Sequence, residues 1–110
     1  MTPTTSSMNC SRNDVVLLPI PFSDLTSRKV RPAIVIGRRG ADLFLVPISS
    51  VLANTDFPLH EWRAAGLNVP CGVKAQLATV EERLVVKIVG RLAVTDAQSL
   101  NERLRLWLQL

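Results

Sequence analysis

Arg31 stands at the head of one apolar run, Pro32-Ala33-Ile34-Val35-Ile36, while Ser49 and Ser50 close the next, Leu43-Phe44-Leu45-Val46-Pro47-Ile48. The short connection between these runs favours antiparallel pairing, which sets the start of the first beside the end of the second. Arg31 and Ser49 are therefore expected at one edge of a small β domain. A guanidinium that stays charged and forks onto two oxygens, next to a hydroxyl, suits a phosphate and can stabilise charge developing on a phosphorane. By residue type alone, Arg31 reads equally well as a strand-edge arginine paired with Asp14 or Asp24, and the two serines as caps for backbone groups where a strand ends.

The elements that must hold this pair follow from hydrophobic patterning. Val15 to Ile20 is a continuous apolar strand bounded by Pro19 and Pro21, and Phe22 to Lys29 is a polar loop. Gly37 to Asp42 reads as a hairpin connection whose Arg38 and Arg39 face water. Thr55 to His60 is a further strand, and Glu61 to Ala65 a short helical turn stopped by Gly66. Pro70 to Gly72 resets the direction, so that Val73 to Ala78 and Leu84 to Leu92 add two more strands around a turn at Thr79 to Arg83. Lys74 and Gln76 share a face of the first of these. Thr95-Asp96-Ala97-Gln98 fits a capping box that opens a terminal helix, with Ala97, Leu100, Leu104, Trp107 and Leu108 along its apolar face. The expected class is mainly β with a C-terminal α-helix, the strands curling into a small barrel under a helical lid.

Size and charge narrow the functions. A chain of 110 residues is one domain with one modest core. Residues 1–12, rich in Thr and Ser, read as a flexible N-terminal tail, and residues 13–110 as the folded domain. A content of 47% hydrophobic residues excludes a disordered chain. Thirteen Lys and Arg against nine Asp and Glu give a net charge of +4, which favours an acidic partner, either nucleic acid or an acidic protein. Cys10 and Cys71 are too few for a disulfide framework, and with His60 as the one histidine no metal-ligand pattern emerges. The expected protein has no metal and no cofactor. His60, in a connecting segment, reads as a surface residue. No apolar run approaches the length of a membrane span, and the polar first twelve residues lack a signal peptide's apolar core, so a cytoplasmic location is expected.

Three stretches together carry a family likeness: Asn13-Asp14-Val15-Val16-Leu17-Leu18, Lys29-Val30-Arg31-Pro32-Ala33-Ile34-Val35-Ile36 and Val46-Pro47-Ile48-Ser49-Ser50. A fourth, Gln76-Leu77-Ala78-Thr79-Val80-Glu81 leading into Val89-Gly90-Arg91-Leu92, supports them. In order and spacing the chain from Asn13 to Leu110 resembles the MazF/PemK toxins, ribosome-independent endoribonucleases of bacterial toxin–antitoxin modules. The resemblance implies an SH3-like barrel of the MazF/PemK/CcdB kind. It also implies metal-independent cleavage of single-stranded RNA through the 2′-hydroxyl, leaving a 2′,3′-cyclic phosphate and a 5′-hydroxyl. Arg31 matches the family's catalytic arginine, and Ser49 stands where a threonine is usual, keeping the hydroxyl but losing the γ-methyl that stiffens χ1. Lys29, Ser50, Lys74 and Gln76 are further substrate-binding candidates, with Phe22 as the aromatic placed to stack on a base. Ala75 stands where several relatives carry an acidic residue proposed to transfer protons. The implied partners are single-stranded RNA, a cognate antitoxin and a second copy of the chain. A barrel that binds nucleic acid or antitoxin without turnover is the alternative that the serine and alanine replacements leave open.

Overall fold

In a computed structural model, residues 9–19 and 29–110 are described. Phe22 and Asp24 lie outside them. The strands are β1 (Asp14–Pro19), β2 (Val30–Arg39), β3 (Asp42–Ser49), β4 (Phe57–Pro58), β5 (Gly72–Val73), β6 (Ala78–Glu81) and β7 (Lys87–Arg91), followed by helix α1 (Val94–Leu108). All pairings are antiparallel, in the order β4-β5-β3-β2-β1-β7, with β6 also on β3.

The first three strands form as the patterning predicts. Their runs are apolar at successive positions because both faces of the sheet are covered. Val15, Ile34, Val46 and Ile48 face a core shared with Leu100 and Leu104 of α1. Their neighbours Val16, Leu18, Ala33, Val35, Leu43 and Leu45 face a second core that Cys10 and Val85 help to close. Gly40, at φ +59°, supplies the left-handed residue of a two-residue turn between β2 and β3. The hairpin is thus tighter than the Gly37 to Asp42 connection expected, and Arg38 lies within β2.

Two expectations change. The sheet does not close into a barrel: among the described strands, no pairing joins β4, β5 or β6 to β7. The strand expected over Val73 to Ala78 breaks where the Gln76 amide donates to the Lys74 carbonyl, and a short 3-10 turn over Glu82–Leu84 delays the last strand to Lys87. Only Phe57–Pro58 of the strand expected over Thr55 to His60 pairs in the sheet.

The capping box also does not form. Helix α1 begins at Val94, with Ala93 as its N-cap and no side-chain cap. The Asp96 carboxylate, only 1% exposed, instead accepts the backbone N–H groups of His60 at 3.0 Å and Glu61 at 2.8 Å. Asp96 therefore ties the segment after β4 to the first turn of the helix, where a negative charge also favours the helix dipole. None of the helices among the described residues is long and apolar enough to cross a membrane.

Candidate functional site

The β2–β3 register explains why an opening exists beside Arg31. The ladder runs through Val35↔Leu45 and Ile34↔Val46 to Ala33↔Pro47 and then stops. Pro32 and Pro47 lack an N–H, so neither can donate to a ladder there. The end of β3 turns to β5 instead, pairing Ile48 with Val73 and Ser49 with Gly72. Arg31 stays with β1, opposite Leu18. Extending the β2–β3 register by two residues would set Arg31 against Ser49, so their strands part at the point where these two side chains leave the sheet.

A cleft of about 480 Å³ lies at this fork, and Arg31, Ser49, Ser50 and Lys74 all line it. Leu17, Pro32, Pro47, Ile48 and Val89 supply apolar lining from four strands. Arg31 is exposed and makes no ion pair or side-chain hydrogen bond with a described residue. The pairing with Asp14 that its strand-edge position suggested does not form: Asp14 accepts from Arg91 Nη1 at 2.9 Å and from the Ser11 amide at 2.8 Å. Ser49 caps the strand end, its Oγ accepting the Val51 N–H at 3.0 Å. That contact fixes the oxygen despite the missing γ-methyl and leaves the hydroxyl hydrogen to donate outward. Lys74 is anchored by its own N–H, which donates to the Pro47 carbonyl at 3.0 Å.

Other proposed positions fall elsewhere. Lys29 is exposed just before β2 and does not line the cleft. Gln76 is half-buried and also absent from the lining, with its Oε1 buried and without a partner among the described residues. Ala75 is exposed outside the cleft.

The cleft has a further margin that sequence reasoning missed, the segment Gly66-Leu67-Asn68-Val69 followed by Cys71. Gly66 sits at φ +89°, and a Cβ there would overlap the Val89 carbonyl; a Cβ on Gly90 would overlap the Ala65 carbonyl. Two glycines thus let this segment press against β7. Their presence was the available signal, but Gly66 and Gly90 are too far apart in sequence to reveal that they meet. The other end of the segment is held by Cys71, whose thiol donates to the Val69 carbonyl at 3.2 Å. Burial raises the Cys71 pKa, favouring the thiol that makes this bond over a nucleophilic thiolate.

The described lining contains two cations, Arg31 and Lys74, and no carboxylate or imidazole. Its chemistry is attraction for an anion, with hydroxyls beside the cations to orient it. Fold and cleft together define a small, open antiparallel sheet with a cationic, hydroxyl-bearing fork at one edge. The chain belongs to the PemK-like, MazF-like toxins of type II toxin–antitoxin systems, whose family profile matches residues 11–108. Among solved structures it is similar to an endoribonuclease in complex with its cognate antitoxin from Mycobacterial species, with a TM-score of 0.70 at 15% identity over 94% of this chain and 97% of that one. It is also similar to the Mycobacterium tuberculosis toxin MazF-mt6, with a TM-score of 0.68 at 16% identity over 88% of this chain and 97% of the other. At these identities the likeness establishes the fold. No curated protein matches the sequence.

Proposed function

We propose that the protein is a metal-independent endoribonuclease toxin that cleaves single-stranded RNA at short specific sequences in the Arg31–Ser49 cleft. The observation that carries this reading is a guanidinium without a partner among the described residues, sharing a cleft with Ser49 and Lys74 in a chain of this toxin family. The 2′-oxygen attacks the adjacent phosphorus and the P–O5′ bond breaks, yielding a 2′,3′-cyclic phosphate and a 5′-hydroxyl. The proton lost by the 2′-hydroxyl passes to solvent, and the departing 5′-oxygen gains one. Arg31 bridges the non-bridging oxygens as charge gathers on them. Ser49, its oxygen oriented by the Val51 N–H, donates to one of those oxygens. Lys74 and Ser50 hold the neighbouring phosphate.

A cognate antitoxin with an acidic segment would fit the same cationic cleft and inhibit by occupying it; one structural relative is an endoribonuclease in complex with its cognate antitoxin. A homodimer would extend the cleft into a groove, and a cytoplasmic location would give it access to messenger RNA. Lys29 and Gln76, outside the cleft of one chain, would contact RNA only further along such a groove.

Purified protein is expected to cut a mixed-sequence single-stranded RNA in the presence of EDTA, with cyclic phosphate at the new 3′ ends. Arg31→Ala is expected to lower cutting on the order of a hundredfold to a thousandfold while retaining the fold. The second reading, a binding module without turnover, is favoured by the lack of a carboxylate or imidazole among the described lining residues. RNA that is bound but stays intact at high protein excess would select it.

A further inference from the structure

The residues around the cleft divide by chemistry. Its cations and hydroxyls come from the β2–β3 fork and from Lys74 just after β5, whereas Gly66, Leu67, Asn68 and Val69 are neutral. This neutral segment starts against β7, where Gly66 meets Val89 and Gly90, and continues through Cys71 into β5. Since β7 and β5 lie on opposite sides of β1, β2 and β3 in the sheet order, the segment crosses the open end of those strands. Asn68 occupies the middle of the crossing. It is exposed, lines the cleft and makes no side-chain hydrogen bond with a described residue. The backbone around it is fixed: the Leu67 N–H donates to the Trp62 carbonyl at 3.1 Å, the Gly66 N–H to the Arg63 carbonyl at 3.0 Å, and Cys71 holds Val69.

Taking the nuclease reading as its basis, we propose that Asn68 is a specificity-determining residue that reads the edge of one unpaired RNA base next to the phosphate held by Arg31. A cleft of about 480 Å³ has room for a base as well as its phosphate. Leu67 and Val69 flank Asn68 with apolar surface for the base to lie against. A carboxamide offers one acceptor and two donors without charge, matching the mixed donor and acceptor edge of a base and adding nothing to phosphate attraction. In single-stranded RNA such edges are open to a side chain.

The test separates base reading from cleavage. Randomised single-stranded 2′-fluoro RNA, which has no 2′-hydroxyl to react, is incubated with wild type, Asn68→Ala and Asn68→Asp, and the bound fraction is sequenced. Wild type is expected to enrich a base at one position, by on the order of tenfold to a hundredfold over the alternatives. Asn68→Ala flattens that position alone. Asn68→Asp, of equal size but with acceptors only, moves the preference toward guanine, whose N1–H and N2 amino group are adjacent donors. No enrichment by wild type, identical enrichment in all three proteins, or equal weakening at every position would overturn the proposal. A protein that selects bases in this assay but leaves ordinary RNA uncut in EDTA overturns the nuclease reading and leaves base reading standing.

Discussion

Strand β2 carries an arginine near each end, and the fold treats the two in opposite ways. Arg38 uses its N–H donors fully: Nε and Nη2 reach the Gly40 carbonyl, Nη1 reaches the Cys10 carbonyl, and Nη1 and Nη2 fork onto the Glu82 carboxylate at 3.0 and 2.8 Å. Glu82 also accepts the Cys10 N–H at 2.9 Å, so the cluster joins the chain before β1, the end of β2 and the turn after β6. The Arg31 guanidinium, at the other end, bonds no described residue and lines a cleft. A satisfied guanidinium fastens three segments together, and an unsatisfied one is available to a ligand. Residue type does not distinguish them. The difference lies in whether an acceptor is delivered to the same place, as Glu82 is to Arg38 and none of the described residues is to Arg31.

The sharpest test of that contrast compares one loss at each end. Arg31→Ala is expected to lower RNA cleavage on the order of a hundredfold to a thousandfold, the usual cost of removing a donor to a developing oxyanion. Its unfolding free energy should stay within about 0.5 kcal/mol of wild type, as for a surface side chain without a partner among the described residues. Glu82→Ala should do the reverse. It strands the Cys10 amide and the Arg38 guanidinium, costing about 1–3 kcal/mol in urea unfolding, with cleavage unchanged below the transition. If both variants lose stability and activity together, the two ends are not functionally separate.

The Arg38 end also has a pH signature. The Arg38 guanidinium, aided by the Cys10 amide, holds the Glu82 carboxyl below its ordinary value of 4.5. A lowered carboxyl pKa stabilises the fold above that value, and the contribution is lost as pH falls through the lower folded value. Burial and the nearby Glu82 charge push the Cys10 thiol up from 9.0 to about 11. A raised thiol pKa has the opposite sense: its contribution is complete below 9 and disappears as pH rises toward about 11. Unfolding curves for wild type and Cys10→Ala should converge across that alkaline range, and Glu82→Gln should flatten the acid limb. Parallel pH dependences in all three proteins would contradict the cluster's geometry.

What could be read from the sequence follows the same division. Strands β1 to β3 were legible because long apolar runs joined by a tight turn leave little freedom in register, and the placement of Arg31 and Ser49 at one edge followed from that register. Strands β4 and β5 were placed but drawn too long, since two residues each carry no periodicity to mark their ends. The helix cap was misread because Asp96 finds amides 36 and 35 residues earlier in the chain, which a local pattern cannot reveal. Arg38 does face water as expected, yet its ion pair went unread for a similar reason: the carboxylate partner lies 44 residues away. Cys10, assigned to the tail, is 2% exposed because it belongs to that cluster.

Within the cleft the contrast can be refined at Ser49, which is both a cap and a donor. Ser49→Ala removes the acceptor for the Val51 N–H and the hydrogen that would meet phosphate, and cleavage is expected to fall about tenfold. Ser49→Thr keeps both groups and adds the methyl that restricts χ1, so activity should be equal or higher. If alanine and threonine act alike, the hydroxyl serves the strand end alone.

The smallest expected effect concerns Lys74, and it shows in the slope of a line more than in its height. Binding of single-stranded nucleic acid releases counterions, so log affinity falls with log salt by about 0.7 for each phosphate neutralised. Lys74 lines the cleft and has no ion-pair partner among the described residues, leaving its charge available for such a contact. Lys74→Ala should therefore lower the salt slope by about 0.7, while Arg83→Ala, which removes a cation already paired with Glu81 at the end of β6, opposite the start of β3, should leave it unchanged. Equal slopes for wild type and Lys74→Ala would mean that the ammonium stays in solvent when RNA is bound. Arg31 would then hold the phosphate without a second cation from the described lining.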